Sequence, residues 1–286
     1  MLSPLNKGRV TCLCAVLLLC LDTPTYRLLR LSLPPSSPDF GFAVTLWRGV
    51  IGVVACSALC VLADGGAAPF AEHLRAIGWH DGILGTVLLS VCSVCFTVAV
   101  ARTSAANVLV FLALGPLLTA LLSRFIYGLH LPRHTWVACV AGFLCVALVF
   151  AGSFSAGPSE IGGCMLAAAV PLLFGLFLTL AASKPDVNLA PLSISGGLCS
   201  FLIAASVLSL HGSIHGAKPA SARDFFMLVF NGSSNSVANL VLSIGVQSCP
   251  AAEASLINLL ETALSPFLVY IAVREGALYG TFPKPS

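Results

Sequence analysis

Residues 109–122 read LVFLALGPLLTALL and residues 169–182 read AVPLLFGLFLTLAA. Neither stretch would present a polar face as a helix or as a strand. Barrel strands alternate apolar and polar residues over about ten positions, and nothing alternates here. Both stretches therefore read as helices surrounded by hydrocarbon. A helix rising about 1.5 Å per residue needs about 20 apolar residues to cross about 30 Å of lipid. Working outward, nine such stretches of roughly 17 to 23 residues fill most of the 286-residue chain. Backbone polar groups find no water at that depth, so spanning segments close their own hydrogen bonds as helices.

The predicted spans are Gly8 to Leu29, Phe40 to Leu62, Gly82 to Val100, Asn107 to Tyr127, Thr135 to Ala151, Ile161 to Ala182, Pro191 to Leu210, Phe225 to Val246 and Ala251 to Val273. The first is the weakest. Its apolar run, Val10 to Leu21, is short and follows Lys7 and Arg9 as in a signal peptide, and Asp22 and Pro24 interrupt it. No small-residue cleavage site follows cleanly, so it is read as a retained helix.

Composition agrees, with 58% hydrophobic and 9% charged residues where soluble domains carry about 25% charged. The longest connections, Ala63 to Asp81 and His211 to Asp224, are too short to fold alone. One all-α, multi-pass bundle is therefore expected, integral to a membrane, with the plasma membrane as the default. The net charge of +3 is dispersed, and without a Lys/Arg cluster there is no footprint for nucleic acid. Lys7, Arg9, Arg75, Arg124, Arg133 and Lys184 would face one side, and Arg27, Arg30, Arg102, Lys218, Arg223, Arg274 and Lys284 the other, so the positive-inside rule selects no orientation.

Twelve cysteines invite a metal or disulfide reading, chiefly at Cys56, Cys60, Cys92 and Cys95. Eleven fall within spans with no His or carboxylate at ligand spacing. They read as small hydrophobes rather than metal ligands. His211 and His215 lack a third ligand and read as a solvated loop.

Shifting the chain by 146 residues lays Ala105-Ala106-Asn107 on Ala251-Ala252-Glu253, Leu114 on Leu260 and Leu118 on Leu264. The same shift sends the fifth span to positions 281–297, of which only Thr281 to Ser286 are present. Residues 1–155 thus form a first repeat of five helices, and residues 156–286 a second repeat of four whose last helix is missing. An odd number of spans per copy makes the halves insert in opposite senses. Inverted repeats supply two nearly equivalent packings, which suits alternating access to a central site.

Deep polar groups need a partner or a task, because a charge at the bilayer centre costs at least about 2.5 kcal/mol. Asn258, Glu261 and Ser265 make one stripe on span nine. Asn231, Ser234, Asn235 and Asn239 make another on span eight, at helical steps of three and four. Two stripes suggest one cavity for substrate or coupling ion. Arg48 in span two would neutralise Asp22 or Glu261, with Glu261 narrowly preferred; the pair would serve as a latch, a carboxylate site or a plain interhelical bridge. Glu253 opens span nine, where a carboxylate gains from the helix dipole. Proton uptake and release at Glu261 is the sharper reading of that residue. Pro116, Pro171 and Pro266 each remove a helix hydrogen bond and permit a kink. Gly49, Gly52, Gly162, Gly163, Gly196 and Gly197 allow close helix approach. Asn231-Gly-Ser matches a glycosylation acceptor but lies inside a span.

TSAANVLVFLALGPLLTALLSRFIYG, LPRHTWVACVAGFLCVALVFAG and CPAAEASLINLLETALSPFLVYIAVREG together resemble the drug/metabolite transporter superfamily, EamA type, and a weaker likeness covers nearly all the chain. The resemblance implies ten helices in two inverted five-helix repeats around a central cavity, carrying small solutes without a cofactor. Asn107 matches the polar position after the Ala pair of the first repeat, and Glu253 and Glu261 the two acids of the second. Glu275 matches the acid that ends the helix. Leu129 stands where the first-repeat acid is expected and Arg274 where a Gly is expected. The expected partners are a small-molecule solute and membrane lipid, with a homodimer as an admissible assembly. Two other classes compete. A truncated, non-transporting remnant or scaffold follows from the missing helix. An intramembrane enzyme would need paired catalytic groups, and no His or Ser-Asp arrangement stands at such spacing.

Overall fold

The computed structural model describes residues 4–32, 39–63, 75–103, 105–127, 158–184, 187–219 and 221–278, with residues 72, 137, 141, 144 and 148 singly. The helices whose full range is described are α1 (Pro4–Leu19), α2 (Asp22–Ser32), α3 (Phe40–Ala63), α4 (Trp79–Arg102), α5 (Ala105–Leu112), α6 (Gly115–Tyr127), α7 (Pro158–Ser183), α8 (Leu192–Leu210), α9 (Ala222–Val246) and α10 (Ala251–Leu278), with a 3₁₀ turn at Ile214–Ala217. No strand occurs among the described residues. Among the described residues seven segments are long and apolar enough to cross a membrane: Leu5–Tyr26, Phe40–Leu62, Trp79–Arg102, Asn107–Ile126, Glu160–Ser183, Leu192–Leu210 and Ala222–Val246. The expected ninth span lies within the continuous helix α10. The expected fifth lies outside the described residues except for Val137, Ala141, Leu144 and Leu148, which are helical and exposed.

Two expected spans are each broken into two helices, and the same chemistry breaks both. Pro24 has no N–H for the Cys20 carbonyl, and Pro116 none for the Leu112 carbonyl. At the first break Leu21 N bonds to Leu18 O at 3.2 Å; at the second, Leu114 N bonds to Phe111 O at 3.0 Å. Both are tightened three-residue steps that interrupt the α-ladder. α7 instead runs through Pro171 without interruption, and α10 runs through Pro266. Of the three expected proline kinks, only Pro116 divides its helix.

In lipid, helices associate by close packing and interhelical hydrogen bonds rather than by hydrophobic collapse. α4 packs on α7 and α8, α3 on α8 and α9, α1 on α9 and α10, and α6 on α7 and α10. The first half of the chain is thus interleaved with the second. At the α3/α8 crossing a Cβ on Gly49 would lie 2.7 Å from the Gly197 carbonyl oxygen. At the α1/α9 crossing a Cβ on Gly245 would lie 2.7 Å from Cys12 Sγ. Gly162, by contrast, has open space around it. All ten described cysteines are free thiols.

The bundle is pinned at both ends. At one end Arg9 forks onto Glu253 with Nε–Oε2 2.9 Å and Nη2–Oε1 3.1 Å. There Lys184 Nζ also meets Asp81 Oδ2 at 2.7 Å. At the other end His211 Nδ1 lies 2.8 Å from Asp39 Oδ1, and Trp47 Nε1 donates to Ala217 O at 2.8 Å. His211 is held there by the way α8 stops. Gly212 has φ +65°, Gly212 N bonds to Ser209 O at 3.1 Å and Ser213 N to Leu208 O at 2.9 Å. This paired capping pattern after a left-handed glycine places the preceding side chain at the helix end. His211 was expected in a solvated loop; it is instead half-exposed and tied to Asp39. The side chain of His215 lies outside the described residues.

Candidate functional site

Four helices bring polar side chains to one place inside the apolar bundle. The break before Pro24 puts Asp22 at the start of α2, 2% exposed, and α3 carries Arg48, 5% exposed. Arg48 Nη1 donates to Asp22 Oδ1 at 3.1 Å. From α9, Asn231 Nδ2 donates to the same oxygen at 2.6 Å and to Thr25 Oγ1 at 2.9 Å. Asn235 Nδ2 donates to Asp22 Oδ2 at 3.2 Å, and Asn239 Nδ2 to the Asn235 backbone O at 2.8 Å. One carboxylate thus collects a guanidinium and two carboxamides. Such charge-assisted bonds are about twice as strong as neutral ones, and here they compensate the burial of both charges. The Arg48 guanidinium also lies 5.8 Å from the centroid of the Phe96 ring, the geometry of a cation–π contact.

Arg48 therefore pairs with Asp22, and not with Glu261, which the sequence had favoured narrowly. Both acids face the same interior, so spacing alone could not separate them. The break at Cys20–Leu21 decides it by swinging Asp22 against α3 and α9.

Glu261, 5% exposed, projects from α10 into the same interior. Among the described residues no hydrogen bond or ion pair engages it. It lies close enough to Asp22 and Arg48 to feel their charges, and its own charge is felt by Cys20 and Cys92. The Oδ1 of Asn258, one turn earlier, and the hydroxyl of Ser193 are buried without a partner, as is Nε of Arg48. Buried polar atoms are normally satisfied, so unpartnered groups gathered in one region mark a place where something else binds.

That place is a cavity of about 130 Å³ whose wall includes Asp22, Arg48, Asn235, Asn239, Asn258 and Glu261. One water needs at least about 10–15 Å³, so the space holds several waters or a small solute. Pro116, Pro171, Phe96 and Phe174 supply apolar wall, and Ser193 and Ser255 further hydroxyls. Asn235 and Asn239 of one polar stripe and Asn258 and Glu261 of the other thus face one hollow.

Other expected site residues lie elsewhere. Asn231 sits behind the cavity as a ligand of Asp22. Ser265 is fully buried, and Ser234 is partly buried; neither belongs to the cavity wall. Asn107 stands at one end of the bundle, where its Nδ2 donates to Glu160 Oε1 and Thr103 Oγ1, both at 3.1 Å. Glu253, expected to cap α10, lies in its first turn and is held by Arg9. Glu275 belongs to α10, but its side chain and that of Pro266 lie outside the described residues. Sequence reasoning missed Asp39, whose partner is 172 residues away. Asp39 lies before α3, outside the spans. The Ser213 hydroxyl holds its carboxyl below the ordinary carboxylate range, aided by His211 and opposed by burial.

Nine chains of solved structures match this one. One of them, titled only as a crystal structure of a protein, aligns with TM-score 0.68 and 21% identity, covering 99% of this chain and 91% of that one. At that identity the likeness speaks for the fold alone. No curated protein matches. A family model, described as the EamA-like transporter family, matches residues 6–151, about half of the chain. With its apolar spans and polar-walled interior, the chain belongs to the EamA-like transporter family and is a multi-pass integral membrane transporter.

Proposed function

We propose that the protein carries a small solute by alternating access, with the central cavity as the binding site and residues 1–155 and 156–286 as inverted halves. The convergence of Asp22, Arg48, Asn235, Asn239, Asn258 and Glu261 on one hollow in an otherwise apolar bundle carries this reading. Within it, Asp22, Arg48 and Asn231 form the fixed floor of the site. Asn235, Asn239, Asn258 and Glu261 form its working wall.

The packing supports the inverted relation. Matching α1–α2 to α7, α3 to α8, α4 to α9 and α5–α6 to α10 maps each principal contact onto another: α4/α7 onto α9/α1, α3/α9 onto α8/α4, and α6/α7 onto α10/α1. End contacts follow the same rule. Asn107 of α5 meets Glu160 of α7 at one end, and Glu253 of α10 meets Arg9 of α1 at the other. Two pseudo-equivalent closures are what a rocking carrier needs, because opening one end then resembles closing the other.

Counterflow in proteoliposomes tests the proposal. A mixed pool of labelled amines, organic acids and neutral metabolites should include at least one solute that exchanges, and Asn258→Leu should slow that exchange about tenfold or more. No exchange of any solute by folded protein would favour the non-transporting scaffold instead.

A further inference from the structure

The charges around the cavity select among solutes. Resting on the carrier reading, we propose that the cavity takes a small organic cation, an amine in its ammonium form, with Glu261 as its counter-charge and the Asn258 carboxamide oxygen as a second acceptor.

Arg48 looks at first like an anchor for an anion, yet its charge is already spent. It is bonded to Asp22, and Asp22 is held in turn by Asn231 and Asn235. An anion at Arg48 would have to displace a carboxylate from three side-chain partners. Once that pair is balanced, the only other charged residue on the described wall is Glu261. The stretch Thr135 to Ala151, described only at residues 137, 141, 144 and 148, contains no charged residue in its sequence. The cavity therefore has one net negative charge when Glu261 is ionised.

An ionised carboxylate that is 5% exposed costs several kcal/mol unless paired. A cationic solute supplies that pairing. Its N–H groups would be received by acceptors that have no donor now: the Glu261 carboxylate and Asn258 Oδ1, with the Ser255 hydroxyl on the same wall. These three residues stand at steps of three along α10, on one helical face. Phe96, Phe174 and Pro171 supply apolar wall that fits a carbon chain or ring behind the ammonium. A bare metal cation asks instead for about six oxygens on all sides, and among the described residues no group of three His, Cys, Asp or Glu side chains stands where it could hold one.

Three amines serve as probes, methylamine, butylamine and phenethylamine, against the neutral 2-phenylethanol, the anionic 3-phenylpropanoate and Na⁺ alone. Full-length protein is assayed in detergent by thermal midpoint and in liposomes by exchange. At least one amine should raise the midpoint and exchange, while the neutral, anionic and Na⁺ controls do neither. Glu261→Gln should weaken that amine about thirtyfold or more, Glu261→Asp should retain part of the affinity, and the midpoints without probe report folding of each variant. Equal effects of 2-phenylethanol, selective exchange of 3-phenylpropanoate, or stabilisation by Na⁺ alone would overturn the assignment while leaving a carrier. If no amine binds and no solute of any charge is exchanged, the carrier reading falls with it.

Discussion

At the scale of single residues, one carboxylate organises the interior. Asp22 receives a guanidinium and two carboxamides inside an otherwise apolar bundle, and the arrangement is stable only while every member is present. Asp22→Asn should cost about 3 kcal/mol or more, because it strands the Arg48 charge. Asp22→Asn combined with Arg48→Gln should cost less than Asp22→Asn alone. Thermal unfolding of the three proteins in detergent measures this, and additive losses would show that the pair is uncoupled. Asp39 offers a test by pH. Its carboxyl is held below the ordinary range in the fold, so its contribution is complete above the unfolded value of about 3.9 and fades as pH falls through the folded value. Asp39→Asn should therefore lower the thermal midpoint at pH 6, with the gap to wild type closing below about pH 4. A gap that widens in acid would contradict the sign.

At the scale of elements, helix positions were legible because span length is set by lipid thickness, and α3, α7, α8 and α9 begin and end within about three residues of the apolar runs. Proline consequences were half legible. Pro24 and Pro116 divide their helices, whereas α7 passes through Pro171 and α10 through Pro266, and nothing in the local sequence separates the cases. Asn107, a site candidate by the sequence, stands at a helix end, where it bonds Glu160. Arg48 was legible as one of two candidates for Asp22, but the carboxamide partners of Asp22 and the partner of Asp39 were not, since they depend on packing across 209 and 172 residues. Glycine shows how packing decides. Gly49→Ala should destabilise by about 1–3 kcal/mol through overpacking at the α3/α8 crossing. Gly162→Ala, with open space around it, should stabilise by up to about 1 kcal/mol through helix propensity. Equal effects in a thermal midpoint assay would mean that the crossing is looser than drawn.

At the scale of the whole molecule, the end contacts sort the chain by side. Lys184 and Arg9 belong to one end, and Lys218 and His211 to the other. A membrane-impermeant maleimide applied to sealed vesicles should reach Lys184→Cys and Lys218→Cys from opposite faces; labelling of both from one face would break the helix order. The link between Asp22 and Arg48 also bears on how the protein is made. Arg48 is 26 residues from Asp22, whereas Asn231 is 209 residues away. As the ribosome delivers the chain, the acid and the base leave the translocon together as the first hairpin, with opposite charges already matched. The carboxamides of Asn231 and Asn235 arrive 209 and 213 residues after Asp22, and they finish a site whose foundation is laid before them. A nascent chain halted soon after Ala63 should accordingly insert its first hairpin efficiently, and Arg48→Gln should impair that step even though the cavity does not yet exist.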